Sequence, residues 1–164
     1  MTLDAQLREQ REDIVRWHME DENTLSFDSV LETFPHPHYE IIPTGAVYDG
    51  REQVRAYYTD SRKAFPDQRN ELISLRHADD AVVVEFWLRG TNLGPFRGMP
   101  ATGKSFECRM TAFFIFEGAT LVNERVYFDA MTLLKQLMSG ISIRRPASLL
   151  MLVRMLRGLR SGLR

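Results

Sequence analysis

The hydrophobic pattern changes period partway along the chain, and this change limits the fold more than any other feature. Before Pro66 the apolar residues recur at helical spacing, and after it they alternate. Val82, Val84, Phe86 and Leu88 fall on one side of an extended segment, with Val83, Glu85, Trp87 and Arg89 on the other. The same split separates Cys108, Met110, Ala112, Phe114 and Phe116 from Glu107, Arg109, Thr111, Phe113 and Ile115. Four strands are predicted, over 71–76, 81–89, 105–116 and 121–128. Hairpin turns are expected at Ala78-Asp79-Asp80 and Glu117-Gly118-Ala119. One face of such a sheet is apolar and must be covered.

The cover is written in the first 66 residues. Leu3, Leu7, Ile14 and Trp17 or His18 form a loose stripe that predicts a helix over 4–19. Asn23 or Thr24 can cap a second, with Phe27, Val30, Leu31 and Phe34 on one side and Pro35 as its stop. The run Pro35-His36-Pro37-His38 imposes extended backbone leading into a short strand at 39–42. Asp49 with Glu52 predicts a capping box for a third helix through Val54, Tyr57, Tyr58 and Phe65. Three helices followed by four long antiparallel strands predict an α+β domain in which the helices cover a strongly curved sheet.

A second discontinuity concerns charge. From Arg144 to Arg164 there are six arginines and no acid, whereas the rest of the chain carries 15 basic and 22 acidic residues. Leu149, Leu152, Leu156, Leu159 and Leu163 share helical spacing there, so 140–164 reads as a basic amphipathic tail on a domain at 1–139. Its segment 146–164 would either dock on this protein's own body or a second subunit, or contact a membrane surface or anionic partner.

The net charge of −1 gives no general attraction to nucleic acid, which is not expected as a partner. Cys108 is the single cysteine, which excludes an intrachain disulfide and a cysteine zinc cluster. With no run of 18 apolar residues and no leader-like start, a cytoplasmic location is expected. No cofactor is expected, because the glycines of 94–103 form neither a dinucleotide fingerprint nor a phosphate cradle. His36-Pro37-His38 has no evident carboxylate partner and makes a poor metal pair, so no metal is expected either.

Five short stretches occur in an order that resembles the SnoaL-like polyketide cyclases and ester cyclases. They are Gly50 with Val54 and Tyr57; Ala64-Phe65-Pro66-Asp67; Arg89-Gly90-Thr91 with Gly94, Phe96 and Gly98; Ala101-Thr102-Gly103-Lys104; and Glu124 through Asp129 to Gln136-Leu137. The resemblance spans about residues 10–138 and leaves the tail outside. It implies the cone-shaped α+β superfamily of ketosteroid isomerase, scytalone dehydratase and nuclear transport factor two, with a deep pocket between helices and sheet. It also implies a homodimer formed through the exposed sheet face. The chain departs from the family pattern at Asn92, where a histidine is common, at Val126 or Tyr127, where a tryptophan is common, and at Met138, where glycine is usual.

The resemblance makes Asp129 the proton-shuttling carboxylate, its alternative role being the N-cap of the helix that follows. Strict alternation puts Asp129 on the face of Arg125 and Tyr127 unless a bulge intervenes, and pairing with Arg125 or Arg109 would lower its pKa. His38, beside Tyr39, is the candidate second catalytic group. Trp17, Tyr39, Tyr57, Phe86, Trp87, Phe114 and Tyr127 are the candidate pocket walls. Arg109 is either an anion stabiliser or half of a cross-strand ion pair with Glu85. The expected function is an acid/base cyclase, isomerase or aldol-type lyase on a small hydrophobic carbonyl compound, polyketide-like or steroid-like. The alternative is a non-catalytic module of the same fold that binds a hydrophobic ligand or a partner protein.

Overall fold

The computed structural model describes residues 4–139, and the expected tail over 140–164 lies outside them. Four α-helices are present: α1 (Ala5–Asn23), α2 (Phe27–Glu32), α3 (Arg51–Ala64) and α4 (Ala130–Leu137). Six strands, β1 (His38–Ile41), β2 (Ala46–Asp49), β3 (Arg69–His77), β4 (Ala81–Thr91), β5 (Ser105–Glu117) and β6 (Thr120–Phe128), form one sheet in the order β2-β1-β6-β5-β4-β3. The α+β architecture is therefore as read from the sequence. No helix among the described residues is long and apolar enough to cross a membrane.

The alternation holds through the long strands. Val82, Val84 and Phe86 of β4 and Cys108, Met110, Ala112, Phe114 and Phe116 of β5 are buried beneath the helices. Full burial of each valine, phenylalanine or methionine among them contributes about 1.5–3 kcal/mol. The opposite face carries ion pairs, Arg109–Glu85 at 2.6 Å and Arg89–Glu107 at 2.6 Å. In β6 the pairing runs Ile115↔Asn123 and then Phe116↔Leu121, so Val122 is an extra residue. This bulge lets Leu121, which has the opposite parity, join Glu124 and Val126 in the core.

Two local details differ from the sequence reading. The strand β2 was not anticipated; a tight turn at Ile42–Thr44, closed by Gly45 at φ 65°, folds the chain back onto β1. The capping box at Asp49 and Glu52 does not form. Gly50 caps α3 with φ 87°, Asp49 N donates to Gln53 Oε1 at 3.2 Å, and the Asp49 carboxylate is taken by His36 and His38.

The helices are tied to the sheet by buried polar contacts. Arg11, 3% exposed on α1, donates to Gly118 O at 2.8 Å and to Asp79 O at 3.0 Å, so one guanidinium joins both hairpin turns to the helix. Asn92 is fully buried after β4. Its amide donates to Gly94 O, and its oxygen accepts from Thr102 N and Oγ1. Leu93 N and Gly94 N both donate to Ala64 O at the end of α3, and Gly94 lies so close that a Cβ there would meet Lys63 O at 2.0 Å.

Gly94→Ala is expected to cost at least ~3 kcal/mol, the upper end of overpacking penalties. Gly118→Ala, at φ 60° with no atom within 4 Å of a new Cβ, should cost only ~1–2 kcal/mol from backbone conformation. Urea unfolding of the two variants checks this, and equal losses would contradict it.

Candidate functional site

The sheet order brings three residues side by side on the core face. Tyr39 of β1 stands in register with Glu124 of β6 through the parallel β1–β6 pairing, and Phe114 of β5 flanks Glu124 on the other side. Helix α1 lies over them. Its buried positions Arg11, Val15, His18 and Met19 form one stripe, and Glu22 follows His18 by one turn. The His18 ring has no exposed surface and meets Phe34 and Phe114 edge-on, at centroid distances of 5.6 and 5.2 Å.

One self-consistent set of hydrogen-bond directions makes both nitrogens of the His18 ring donors. The Thr33 hydroxyl donates to Val30 O at 2.6 Å, so towards His18 Nδ1, 3.0 Å away, it can only accept. Nδ1 therefore carries a hydrogen. On the other side Tyr58 donates to Glu22 Oε1 at 2.6 Å, which leaves its oxygen to accept from Tyr39 at 2.7 Å. Tyr39 in turn accepts from His18 Nε2 at 2.9 Å. Both ring nitrogens are donors, and His18 is an imidazolium.

Two carboxylates balance that charge. Glu124 Oε2 lies 3.3 Å from Nε2, and Glu22 Oε1 lies 3.7 Å away. Burial works against the charged ring, but Glu124 and Glu22 overcome it and the His18 pKa is pushed up to about 9. The two acids are driven apart. Burial pushes the Glu124 carboxyl up despite His18, and Glu22 adds to that by repulsion. Burial also works on Glu22, but bonds from His18 and Tyr58 and the charge of Arg62 outweigh it and hold that carboxyl down. Asn70 also donates to Glu22. Glu124 is less well held: its Oε2 is buried and has no hydrogen-bond partner among the described residues.

This arrangement gives an ionised carboxylate, a charged ring and a second carboxyl group able to take and return a proton. The ring walls continue outward through Tyr57 and Tyr48, with Tyr39–Tyr57 at 6.3 Å and Tyr57–Tyr48 at 4.8 Å. A groove of about 500 Å³ elsewhere, lined by polar residues including Asp67, Arg69, Arg89 and Gln136, includes no member of the cluster. It carries no comparable chemistry, because its arginines are already paired with Glu71 and Glu107.

Several sequence expectations place residues elsewhere. Asp129 is the N-cap of α4: its exposed carboxylate accepts from Met131 N and Thr132 N at 3.0 Å each and from the Thr132 hydroxyl at 2.6 Å. These bonds, that of the Thr132 hydroxyl first, hold its pKa down. No bulge turns Asp129 inward, because the one in β6 lies seven residues upstream. His38 binds Asp49 at 2.9 Å at the sheet edge, away from His18. Among the pocket walls, Tyr39, Phe86 and Phe114 are buried and Tyr57 is partly so.

Trp17 is corrected to a surface position at 66% exposure, since the stripe of α1 runs through His18 instead. Tyr127 is 41% exposed and packs on Phe113 on the outer face. Trp87 shares that face, 5.7 Å from Arg89 and 5.9 Å from Arg109, and Arg109 is the cross-strand partner of Glu85. His18, Glu22, Glu124, Tyr58 and Thr33 were missed as site residues. The signal for Glu124 was its parity with Val126 and Phe128, which puts a charge on the apolar face.

Comparison with known proteins follows this geometry. The model of the SnoaL-like polyketide cyclase family matches residues 12–137. No curated protein matches. Among solved structures, a candidate SnoaL-like polyketide cyclase from Jannaschia sp. CCS1 superposes with a TM-score of 0.70 at 19% identity, covering 80% of this chain and 93% of its own. A candidate polyketide cyclase from Xanthomonas campestris pv. campestris gives 0.73 at 15% identity, with 80% and 98% covered. IdmH, a candidate polyketide cyclase from Streptomyces antibioticus, gives 0.65 at 23% identity, with 78% and 98% covered. At these identities the structural likeness establishes the fold.

If His18 is the charge that allows both acids to be buried, His18→Phe should cost ~3–5 kcal/mol, the penalty for orphaning a buried charge. Adding Glu124→Leu to it should then cost less than the two single changes summed. A double-mutant cycle by urea unfolding measures the coupling, and simple additivity would contradict it.

Proposed function

Because this chain belongs to the SnoaL-like polyketide cyclase family, with residues 12–137 matching the family, we propose that it moves a proton at a carbon next to a carbonyl in a small apolar molecule. Glu124 is the group that takes the proton and gives it back. The observation that carries this reading is the Glu124 carboxyl itself: buried on the core face, beside a charged ring, with Oε2 unpartnered. A carboxylate in such surroundings is a stronger base than in water, and its protonated form remains able to donate.

In the proposed reaction the Glu124 carboxylate removes a proton from the α-carbon, and the electron pair of that C–H bond passes into an enolate. The enolate oxygen is stabilised by the charge on the His18 ring beside it. In a cyclisation the enolate carbon attacks a second carbonyl of the same molecule, a C–C bond forms, and the new alkoxide takes the proton from Glu124. In an isomerisation the proton returns to a different carbon. Both routes leave Glu124 and His18 as they began. Glu22, held ionised by its partners, keeps the ring charged throughout.

A substrate-independent assay tests this. The protein is expected to accelerate exchange of the α-hydrogens of a cyclic 1,3-diketone with D2O, followed by NMR. Glu124→Gln should lower that rate ~10²–10⁴-fold, the usual contribution of a general base. Asp129→Asn should leave the rate within a factor of ~3 and Tm nearly unchanged, because asparagine caps α4 about as well as aspartate. The same loss in Asp129→Asn with none in Glu124→Gln would overturn the assignment and return it to Asp129.

A further inference from the structure

The cluster around His18 holds more electron pairs than hydrogens. One Nε2–H faces three acceptors: Tyr39 oxygen at 2.9 Å, Glu124 Oε2 at 3.3 Å and Glu22 Oε1 at 3.7 Å. It donates to the first, and Glu124 Oε2 is left buried with no hydrogen bond among the described residues. In the proton-bound form that oxygen is compensated by the ring charge 3.3 Å away and not by a hydrogen bond of its own, which leaves it a free electron pair inside the protein. One ligand atom from each of His18, Glu22 and Glu124 lies within 4.8 Å of the other two.

We infer that His18 Nε2, Glu22 and Glu124 form a binding site for one divalent transition-metal ion of the zinc or cobalt type, which takes the place of the Nε2 proton. Metal–ligand bonds of ~2.0–2.2 Å in a tetrahedron separate ligand atoms by roughly 3.3–3.6 Å, close to the 3.3 and 3.7 Å between the imidazole nitrogen and the two carboxylates. One imidazole with two carboxylates suits such an ion better than magnesium or calcium, which prefer all-oxygen sites. Its two carboxylate charges balance a divalent ion with the ring neutral.

The supporting contacts also fit. Thr33 holds Nδ1–H at 3.0 Å, which aims the Nε2 electron pair into the cluster once its proton has left. His18 and Glu22 are one turn apart on α1, a spacing that puts both on the same side of the helix. Three protein ligands leave a fourth position open, and the Tyr39 and Tyr58 hydroxyls are the polar groups next to Nε2, at 2.9 and 3.5 Å. Proton and metal exclude one another at Nε2, so the metal-bound form is one in which Glu124 and His18 are withdrawn from the proposed proton transfer, and binding is read without reference to activity so that either reading can fail alone.

The test is calorimetric titration of the chelator-treated full chain with Zn2+, with native mass spectrometry for stoichiometry. One Zn2+ per chain is expected, and Glu124→Gln should weaken binding by roughly 10–100-fold or more, a loss that even outer-shell changes produce. Should Glu124→Gln fail to fold by circular dichroism, Glu22→Gln, at a partly exposed side chain, takes its place with the same expectation. The double variant His36→Asn/His38→Asn removes the exposed histidines that share Asp49 and should leave the tight site intact. No Zn2+ bound to the wild type, or binding lost in the histidine double variant and unchanged in the glutamate variant, would overturn the inference.

Discussion

A positively charged ring with no exposed surface, set between two carboxylates, is the interaction on which the inside of this molecule depends. Burying a single charge of either sign costs several kcal/mol, and burying two acids without the histidine would add their repulsion. The cluster is therefore an all-or-none arrangement: His18 supplies the charge, Glu22 and Glu124 answer it, and Thr33, Tyr39 and Tyr58 dispose of the remaining hydrogens. Its members come from α1, the end of α2, β1, α3 and β6, so forming the cluster registers α1 and α3 against the strands.

The topology explains why a carboxylate reaches this depth. Strand β1 enters parallel to β6 and puts Tyr39 opposite Glu124, while β5 presents Phe114 from the other side. Both neighbours are large, so Glu124 is walled on the sheet and meets its charged partner His18 from the helix above. Glu22 differs: its side chain is 16% exposed against 7% for Glu124, takes hydrogen bonds from Tyr58 and Asn70, and stays ionised. Two chemically identical side chains acquire opposite tendencies from position alone, which divides acid/base work between them.

Much of the fold was legible because it rests on periodicity. The long strands, both hairpin turns and the three N-terminal helices followed from spacing and turn chemistry. Strand β2 did not, because four residues after a tight turn carry too little pattern. Even the orientation of Asp129 was legible, since alternation set it on the outer face with Tyr127, and its place before a helix is where a cap belongs. The site itself was harder to read. A histidine on a helix and a glutamate on a strand 106 residues later are each unremarkable, and only the pairing of β1 with β6 and the docking of α1 bring them together. Parity alone would have marked Glu124 as a charge on an apolar face.

The most direct test is the protonation of His18 in the metal-free protein, read from the ring nitrogens of 15N-histidine-labelled samples at neutral pH. The chemical shifts and couplings distinguish a ring with both nitrogens protonated from either neutral tautomer. The account predicts one histidine, absent from the spectrum of His18→Phe, that is doubly protonated at pH 7 and stays so until about pH 9. A neutral His18 at pH 7 would contradict it, because the hydrogen-bond chain from Thr33 to Glu22 would then run differently and the two acids would lack the charge that holds them.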